Sequence, residues 1–333
     1  MVLRAAVIGL GVGERHIEGY EADPRCRVVA LCDTDPGKLA EVGARHAGRR
    51  LTCDPDEILA DTSIDVVSIA SPDNAHHVQI MAALKAGKHV FVEKPLCLHE
   101  DELAGIRQAL AARPRLRLSS NLILRRSPRF AKLRERIGAG QMGTPYYSEA
   151  DYNYGRVGKI LDGWRGQAPF YSVVHGGAIH MIDLLVWLLG ERPQTVTAFS
   201  NKIATRDTSF RFNDCVVALL KFPSQAIAKV SANFGCVFPH HHNLTVYGTD
   251  ATFVHDHQGA RLYTSRDPDA PPLAINDAYK GAAKGDMLPN FIAAILDGGE
   301  PDVSAADVLD IMAVSLAIEK SANLQKPVDV QFG

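Results

Sequence analysis

The sequence predicts an α/β protein in two parts: a parallel sheet wrapped by helices, then an α+β region with a largely antiparallel, open sheet. Three observations carry that expectation. Short apolar runs alternate with helical patterns over the first third of the chain, as parallel strands and their crossover helices do. A glycine cluster, Gly9-Leu10-Gly11-Val12-Gly13, stands where the first strand turns into the first helix. After about Asn121, strand-like segments follow one another with turn residues between them, the pattern of an antiparallel sheet.

The first region takes residues 1–121. Strands are expected at 3–8, 27–32, 65–70, 88–93 and 115–119, mostly apolar runs of the length that strands buried on both faces show. Helices are expected between them at 13–22, 36–47, 76–86 and 100–112. Asp54, ahead of Pro55 at a first helical position, predicts a further short helix over 55–60. The second region, 122–333, opens with a helix at 128–137 that leads through Gly143-Thr144-Pro145 into a strand at 146–152. A longer helix at 178–189 ends at Gly190, which can take the left-handed backbone that closes a helix. Strands follow at 195–200, 215–222, 226–233, 244–247, 252–254 and 261–263. Helices at 287–296 and 305–322 and a short apolar tail at 328–330 complete the chain, with the last helix expected to pack back on the first region.

At 333 residues the chain has room for two domains with substantial cores. Its 36 Lys+Arg nearly balance its 38 Asp+Glu, and no single-sign block appears, so neither nucleic acid nor an anionic membrane is expected as a partner. The longest apolar stretch, residues 182–189, is far too short to span a bilayer. The six cysteines, Cys26, Cys32, Cys53, Cys97, Cys215 and Cys236, show no CxxC pairing and read as reduced thiols. The N-terminus runs almost directly into a strand without a secretory signal, so a cytoplasmic protein is expected.

Glycines at the first turn let the backbone approach a pyrophosphate, which the following helix N-terminus favours. Gly9, Gly11, Val12 and Gly13 are therefore candidate dinucleotide contacts, although the third glycine comes one residue earlier than in G-x-G-x-x-G. The second strand ends at Asp33, roughly 20 residues on, where a carboxylate accepts hydrogen bonds from ribose hydroxyls and repels a 2′-phosphate. NAD is thus expected over NADP, with Arg15 or Lys38 the residues that would favour NADP, and Asp33 as a plain turn residue the competing reading. The third strand end, Ser71-Pro72-Asp73-Asn74-Ala75-His76, brings Ser71, Pro72 and His76 to the same sheet edge. The fourth ends in Glu93-Lys94-Pro95, and a lysine half-buried there is either an ordinary surface residue or one placed for chemistry.

With these residues identified, the chain resembles the Gfo/Idh/MocA family (glucose-fructose oxidoreductase, inositol dehydrogenase and relatives) over nearly its whole length. The landmarks are the glycine turn with His16, Asp33, Ser71-Pro72 with His76, Ala86-Gly87-Lys88-His89-Val90, Glu93-Lys94-Pro95, Trp164-Arg165 and His180-Met181-Ile182-Asp183-Leu184. The resemblance implies an N-terminal Rossmann domain that binds NAD through the residues above, Glu93 and Lys94 included, and a second domain for substrate binding and oligomerisation, as a homodimer or homotetramer. It also implies that Lys94 and His180 act together on the reacting hydroxyl of a polyhydroxylated small molecule. Relatives often carry an aspartate four residues before that histidine; this chain has Gly176, in His175-Gly176-Gly177. Either His175 or Asp183 then fills the missing role, or the role is dispensable.

His180 has the right intrinsic pKa for a base, and Asp183, one turn on, is placed to fix its tautomer; a core histidine is the alternative reading. Tyr154, Arg156, Trp164 and Arg165 suit a sugar-like ring by stacking and hydrogen bonding, or equally a solvated loop. The histidines at 240, 241, 242, 255 and 257 invite a metal reading, but consecutive residues of a strand point to opposite sides, and no metal is expected. The expected function is NAD-dependent hydride transfer at a secondary hydroxyl of a sugar, cyclitol or nucleotide-sugar. The alternatives are an NAD-binding sensor without turnover and an NAD-assisted glycoside hydrolase.

Overall fold

The apolar runs of the first third pair as a wholly parallel, six-stranded sheet in a computed structural model, which describes residues 2–279 and 283–333. The strands are β1 (Leu3–Ile8), β2 (Cys26–Cys32), β3 (Arg50–Thr52), β4 (Val66–Ile69), β5 (His89–Val92) and β6 (Leu118–Ser120), in the order β3-β2-β1-β4-β5-β6. β4 is buried along its length, as a strand covered by helices on both faces must be. The order reverses between β1 and β4, the switch point at which such sheets open a crevice beyond their carboxyl ends. β3 is absent from the sequence expectation because Arg50 and Leu51 are exposed and only Thr52 turns inward.

Helices Glu14–Glu21, Pro36–Arg45, Pro55–Ala60, His76–Lys85 and Glu100–Ala111 connect these strands. Asp35 caps the second, accepting from the N–H of Gly37 at 2.8 Å and of Lys38 at 3.1 Å. Asp54 caps the third through the N–H of Asp56 at 2.9 Å, as its place before Pro55 predicts. The chain divides into two compact units, Met1–Ile123 with Ala282–Leu309 and Leu124–Gly281 with Asp310–Gly333. The segment Ala282–Leu309 thus belongs to the first unit, whereas a division of the sequence at 121/122 leaves it with the second. In that segment the helix Leu288–Asp297 sets Phe291 against Phe91 of β5, ring centres 5.6 Å apart.

The second unit is built on a nine-stranded mixed sheet. Its strands are β7 (Pro145–Asn153), β8 (Thr195–Asn201), β9 (Cys215–Lys221), β10 (Ile227–Asn233), β11 (His241–Gly248), β12 (Thr252–Asp256), β13 (Gly259–Tyr263), β14 (Leu273–Ile275) and β15 (Val328–Asp329). They run β14-β13-β12-β11-β7-β10-β9-β8-β15, with every pairing antiparallel except β7 with β10. Burial alternates along β9 and β10, so one face carries the core and the other leaves Phe199, Val217, Leu219 and Ile227 exposed. The helix Ile179–Leu189 belongs to this unit and closes on Gly190 at φ 71°, where a side chain would be strained. One π-type turn, Val174–Ala178, precedes it and contains His175, Gly176 and Gly177. The apolar tail becomes the edge strand β15, Val328 pairing with Val196. Among the described residues no helix is long and apolar enough to cross a membrane.

Candidate functional site

The three glycines of the first turn are held there for different reasons. Gly9 sits at φ 86°, and a Cβ on it would run into the carbonyl of Ala70 at the end of β4. A Cβ on Gly13 would meet the Gly9 carbonyl and come within 2.9 Å of Val7 Cγ1, so this position is small because the first helix packs closely on β1. Gly11 has neither constraint: nothing lies within 4 Å of its Cβ position. Its lack of a side chain leaves open space in front of a helix N-terminus, a cradle fitted to a phosphate pair. Asp33 closes the turn from β2, one carboxylate oxygen accepting from the Leu10 N–H at 2.7 Å and the other from the Asp35 N–H at 3.0 Å. A carboxylate has about four lone-pair sites, so acceptor capacity remains for ribose hydroxyls. These residues fit a dinucleotide. Gly11→Val is therefore expected to leave the melting temperature almost unchanged while weakening NAD binding by at least about tenfold in calorimetry. Undiminished affinity would remove Gly11 from the cofactor site.

Two histidines organise the loops after β4 and β5. His16 is fully buried, one ring nitrogen 2.6 Å from Ser68 Oγ and the other 3.2 Å from Glu93 Oε1. Asn121 Nδ2 donates to the same Glu93 oxygen at 2.7 Å and to the Lys284 carbonyl at 2.9 Å. Burial pushes the Glu93 pKa up, but the Lys284 charge and the His16 and Asn121 bonds outweigh it and hold the carboxyl well below the usual range. His76 is also fully buried, with Nδ1 2.6 Å from the Pro95 carbonyl and Nε2 2.9 Å from the Ser71 carbonyl. Glu93 and His76, both expected to touch the cofactor, also have internal partners that fix the loops carrying them. Lys94 is half-buried between Glu93 and Pro95, and the peptide bond joining it to Pro95 is cis. Ser71 and Pro72 stand at the end of β4, Ser71 Oγ donating to Gln79 Oε1 at 2.7 Å. Val12 is exposed beside Gly11.

In the second unit an aromatic wall surrounds Tyr152 of β7. His180 lies parallel to its ring at 6.2 Å between centres, and Tyr154 and Phe234 each lie at 5.7 Å. His240 and His242 meet Tyr152 edge-on at 5.2 and 5.1 Å. Arg156 lies over Tyr154 at 5.6 Å, and Arg165 over Trp164 at 4.7 Å and Tyr171 at 5.9 Å. The structure thus brings Tyr154, Arg156, Trp164, Arg165 and His180 together through Tyr152, Phe234 and Tyr171, and sequence reasoning missed Phe234 and Tyr171. Burial above all, with Tyr154 and Tyr171 beside it, keeps the Tyr152 pKa well above its usual value, so the wall presents a neutral phenol.

Both expected helpers of His180 have partners of their own. Asp183 is fully buried in an ion pair with Arg125, Nε to Oδ1 at 3.0 Å and a terminal nitrogen to Oδ1 at 2.6 Å. A buried carboxylate needs a compensating cation, and Arg125 supplies one. His175 turns its Nδ1 to Ser315 Oγ at 2.7 Å, on the helix Ala305–Leu324. The histidine run splits as a strand must: 240 and 242 face Tyr152, while His241 meets His255 at 4.9 Å and Tyr279 at 5.3 Å. Arg129 donates to His255 Nδ1 at 2.9 Å, which makes that nitrogen an acceptor; burial, His241 and Arg129 push the His255 pKa down to about 3. Among the described residues no group of three or more His, Cys, Asp or Glu side chains is placed to hold a metal ion.

Comparison with known proteins bears on both units. The model of an oxidoreductase family with an NAD-binding Rossmann fold, GFO_IDH_MocA, matches residues 3–121, and the model of the GFO/IDH/MocA C-terminal domain matches residues 130–254. Inositol 2-dehydrogenase 1 of Saccharopolyspora erythraea is 29% identical over 210 residues, a match spanning 62% of this chain and 60% of that protein. The NAD(+) scyllo-inositol 2-dehydrogenase of Bacillus subtilis is 26% identical over 98% of this chain and 96% of its own length. A levoglucosan dehydrogenase solved with NADH and levoglucosan superposes with a TM-score of 0.87 over 100% of both chains at 22% identity, a likeness of fold.

Proposed function

The chain belongs to the GFO/IDH/MocA family of oxidoreductases with an NAD-binding Rossmann fold, and from that premise we propose that it moves a hydride between NAD and a secondary hydroxyl of a sugar, cyclitol or nucleotide-sugar. The observation that carries this reading is the aromatic wall of the second unit, where His180 stands at 6.2 Å from Tyr152 in a row of stacking faces and ring nitrogens. Such surfaces suit the C–H faces and hydroxyl edges of a polyol. Relatives that carry inositol or levoglucosan in their names support the same class of substrate.

NAD, when bound, accepts the hydride. In the proposed reaction His180 takes the hydroxyl proton, and the Lys94 ammonium holds the same oxygen as negative charge develops on it. Asp33 and the turn at Gly9, Gly11, Val12 and Gly13, with Ser71 and Pro72, orient the dinucleotide. Arg156, Arg165, Tyr154 and Trp164 select among substrates, the two arginines by binding a carboxylate or phosphate where the substrate has one.

A homo-oligomer formed through the exposed apolar residues of the second sheet, Phe199, Val217, Leu219 and Ile227, belongs to this reading; a monomeric mass by light scattering would count against it. So does a cytoplasmic setting, which suits six unpaired thiols. The decisive experiment follows NADH formation with a panel of inositols, aldoses, uronates and UDP-sugars. NADH with at least one of them is the expected result. A ligand that raised the melting temperature without any NADH would point to a sensor, and free sugar released without net NADH to a hydrolase.

A further inference from the structure

The side of β11 that faces away from the aromatic wall carries a second cluster of titratable groups. At its centre is His255 on β12, 1% exposed, with its strand paired on both sides through Leu244 of β11 and Ala260 of β13. Phe130 meets the ring edge-on at 5.3 Å, His241 lies at 4.9 Å and Tyr279 at 4.5 Å. A guanidinium only donates, so the bond from Arg129 to Nδ1 leaves the neutral ring with its proton on Nε2. That Nε2 is buried and has no hydrogen-bond partner among the described residues. A proton added at Nδ1 would break the Arg129 bond and set two cations 2.9 Å apart.

Arg129 stands in the first turn of the helix Pro128–Gly138 and holds a strap, residues 277–279, that follows the edge strand β14. Its Nε donates to the Asp277 carbonyl at 3.0 Å and its backbone N–H to the Ala278 carbonyl at 3.2 Å. Ser127 Oγ donates to the Tyr279 carbonyl at 3.2 Å, and Lys132 pairs with the Asp277 carboxylate at 2.5 Å. The phenol of Tyr279 in turn bonds His242 Nδ1, and the His242 ring lies 5.1 Å from Tyr152 and 6.3 Å from His180. We propose that Arg129 and His255 form an acid-released latch: a neutral His255 keeps the strap 277–279 closed, and with it the phenol that fixes His242 in the aromatic wall. The inference goes beyond the hydride-transfer reading and does not rest on it.

The charged and titratable groups around the latch come from every element packed on it. They are Arg129 from the helix, His241 from β11, and Asp277 and Tyr279 from the strap. Asp256 on the same strand as His255 is bonded to Arg261 of β13, and His257 follows it. Burial pushes the Tyr279 pKa up to about 12, so its phenol stays neutral. In the closed form His255 refuses a proton until about pH 3, because burial, then His241 and Arg129, oppose the charge. Opened to water, it takes one at about 6.5. The open form thus holds one more proton between those limits, and opening becomes about tenfold more favourable for each unit that pH falls below about 6. His241, also pushed down by burial, acts in the same direction.

The test is amide hydrogen exchange and histidine NMR on the full chain. The Arg129 N–H bonds the strap directly, so its protection reports the latch. Corrected for the intrinsic exchange rate, that protection is expected to fall about tenfold between about pH 7.5 and about pH 5.5 in the wild type. His255→Gln keeps an acceptor for Arg129 but takes no proton, and there the fall should be no more than about threefold, the share left to His241. The NMR arm needs no variant: the His255 ring should stay neutral, with its proton on Nε2, to below about pH 5. A His255 that titrates at about 6.5 would overturn the proposal. So would an Arg129 protection that does not change with pH, or one that falls equally in His255→Gln. Neither arm needs NAD or a substrate, so failure to oxidise any polyol would tell against the hydride-transfer reading alone.

Discussion

Lys94→Ala is expected to lower kcat by about three orders of magnitude while leaving the Kd for NAD within about threefold of wild type. An ammonium aimed at an oxygen that gains charge in the transition state is worth more there than in the ground state, and a loss of about 4 kcal/mol is the size such electrostatic deletions reach. The setting of Lys94 supports a loss at that end of the range. Its neighbours on both sides are fixed: the Glu93 carboxylate by His16 and Asn121, and the Pro95 carbonyl by His76. A residue pinned on both sides loses little entropy when it engages a substrate oxygen. Lys94→Arg should not restore the rate, since a planar fork is a different shape from a point charge on a flexible stem. Initial rates of NADH formation at saturating substrate, with NAD affinity by calorimetry, check both halves. Full activity in Lys94→Ala would remove the residue from the chemistry.

What the sequence made legible, and what it hid, divides along one physical line. The glycine turn, Asp33, the Glu-Lys-Pro strand end and His180 are readable because their meaning is local: a turn, a strand end, a helix position. The parallel strands of the first unit are readable for the same reason, since each is a short apolar run between helical patterns. β3 is not, because a three-residue edge strand buries one side chain. Nor is the parallel pairing of β7 with β10, which depends on where the strands meet rather than on either sequence. The partners of the site residues are the least legible. Asp183 finds Arg125 across 58 positions and His175 finds Ser315 across 140. Tyr171 is close in sequence to Gly176, but only packing reveals that its ring folds back over the glycine.

Asp183→Ala is expected to destabilise the second unit by about 3–5 kcal/mol, because it strands a guanidinium in the interior. Arg125 is 7% exposed and Asp183 is 0% exposed, so water does not replace the lost partner. Arg125 also lies over Trp187 at 5.9 Å, on the same helix as Asp183. The pair as a whole stabilises far less than the cost of breaking it, since both charges were taken out of water to form it. Arg125→Met should therefore be as damaging as Asp183→Ala, and the double variant Arg125→Met with Asp183→Leu should recover most of the loss. Urea unfolding of the wild type, Arg125→Met, Asp183→Leu and the double variant, read as a double-mutant cycle, gives the coupling directly. The cycle also separates two accounts of Asp183. If it fixes the tautomer of His180, as its spacing suggests, the single variant should lose about 100-fold or more in kcat with stability nearly intact, and removing Arg125 as well should restore nothing. If it anchors the helix that carries His180, stability should fall first, turnover should follow only as the helix loosens, and the apolar pair should bring both back. The buried geometry of the Arg125–Asp183 pair favours the second outcome.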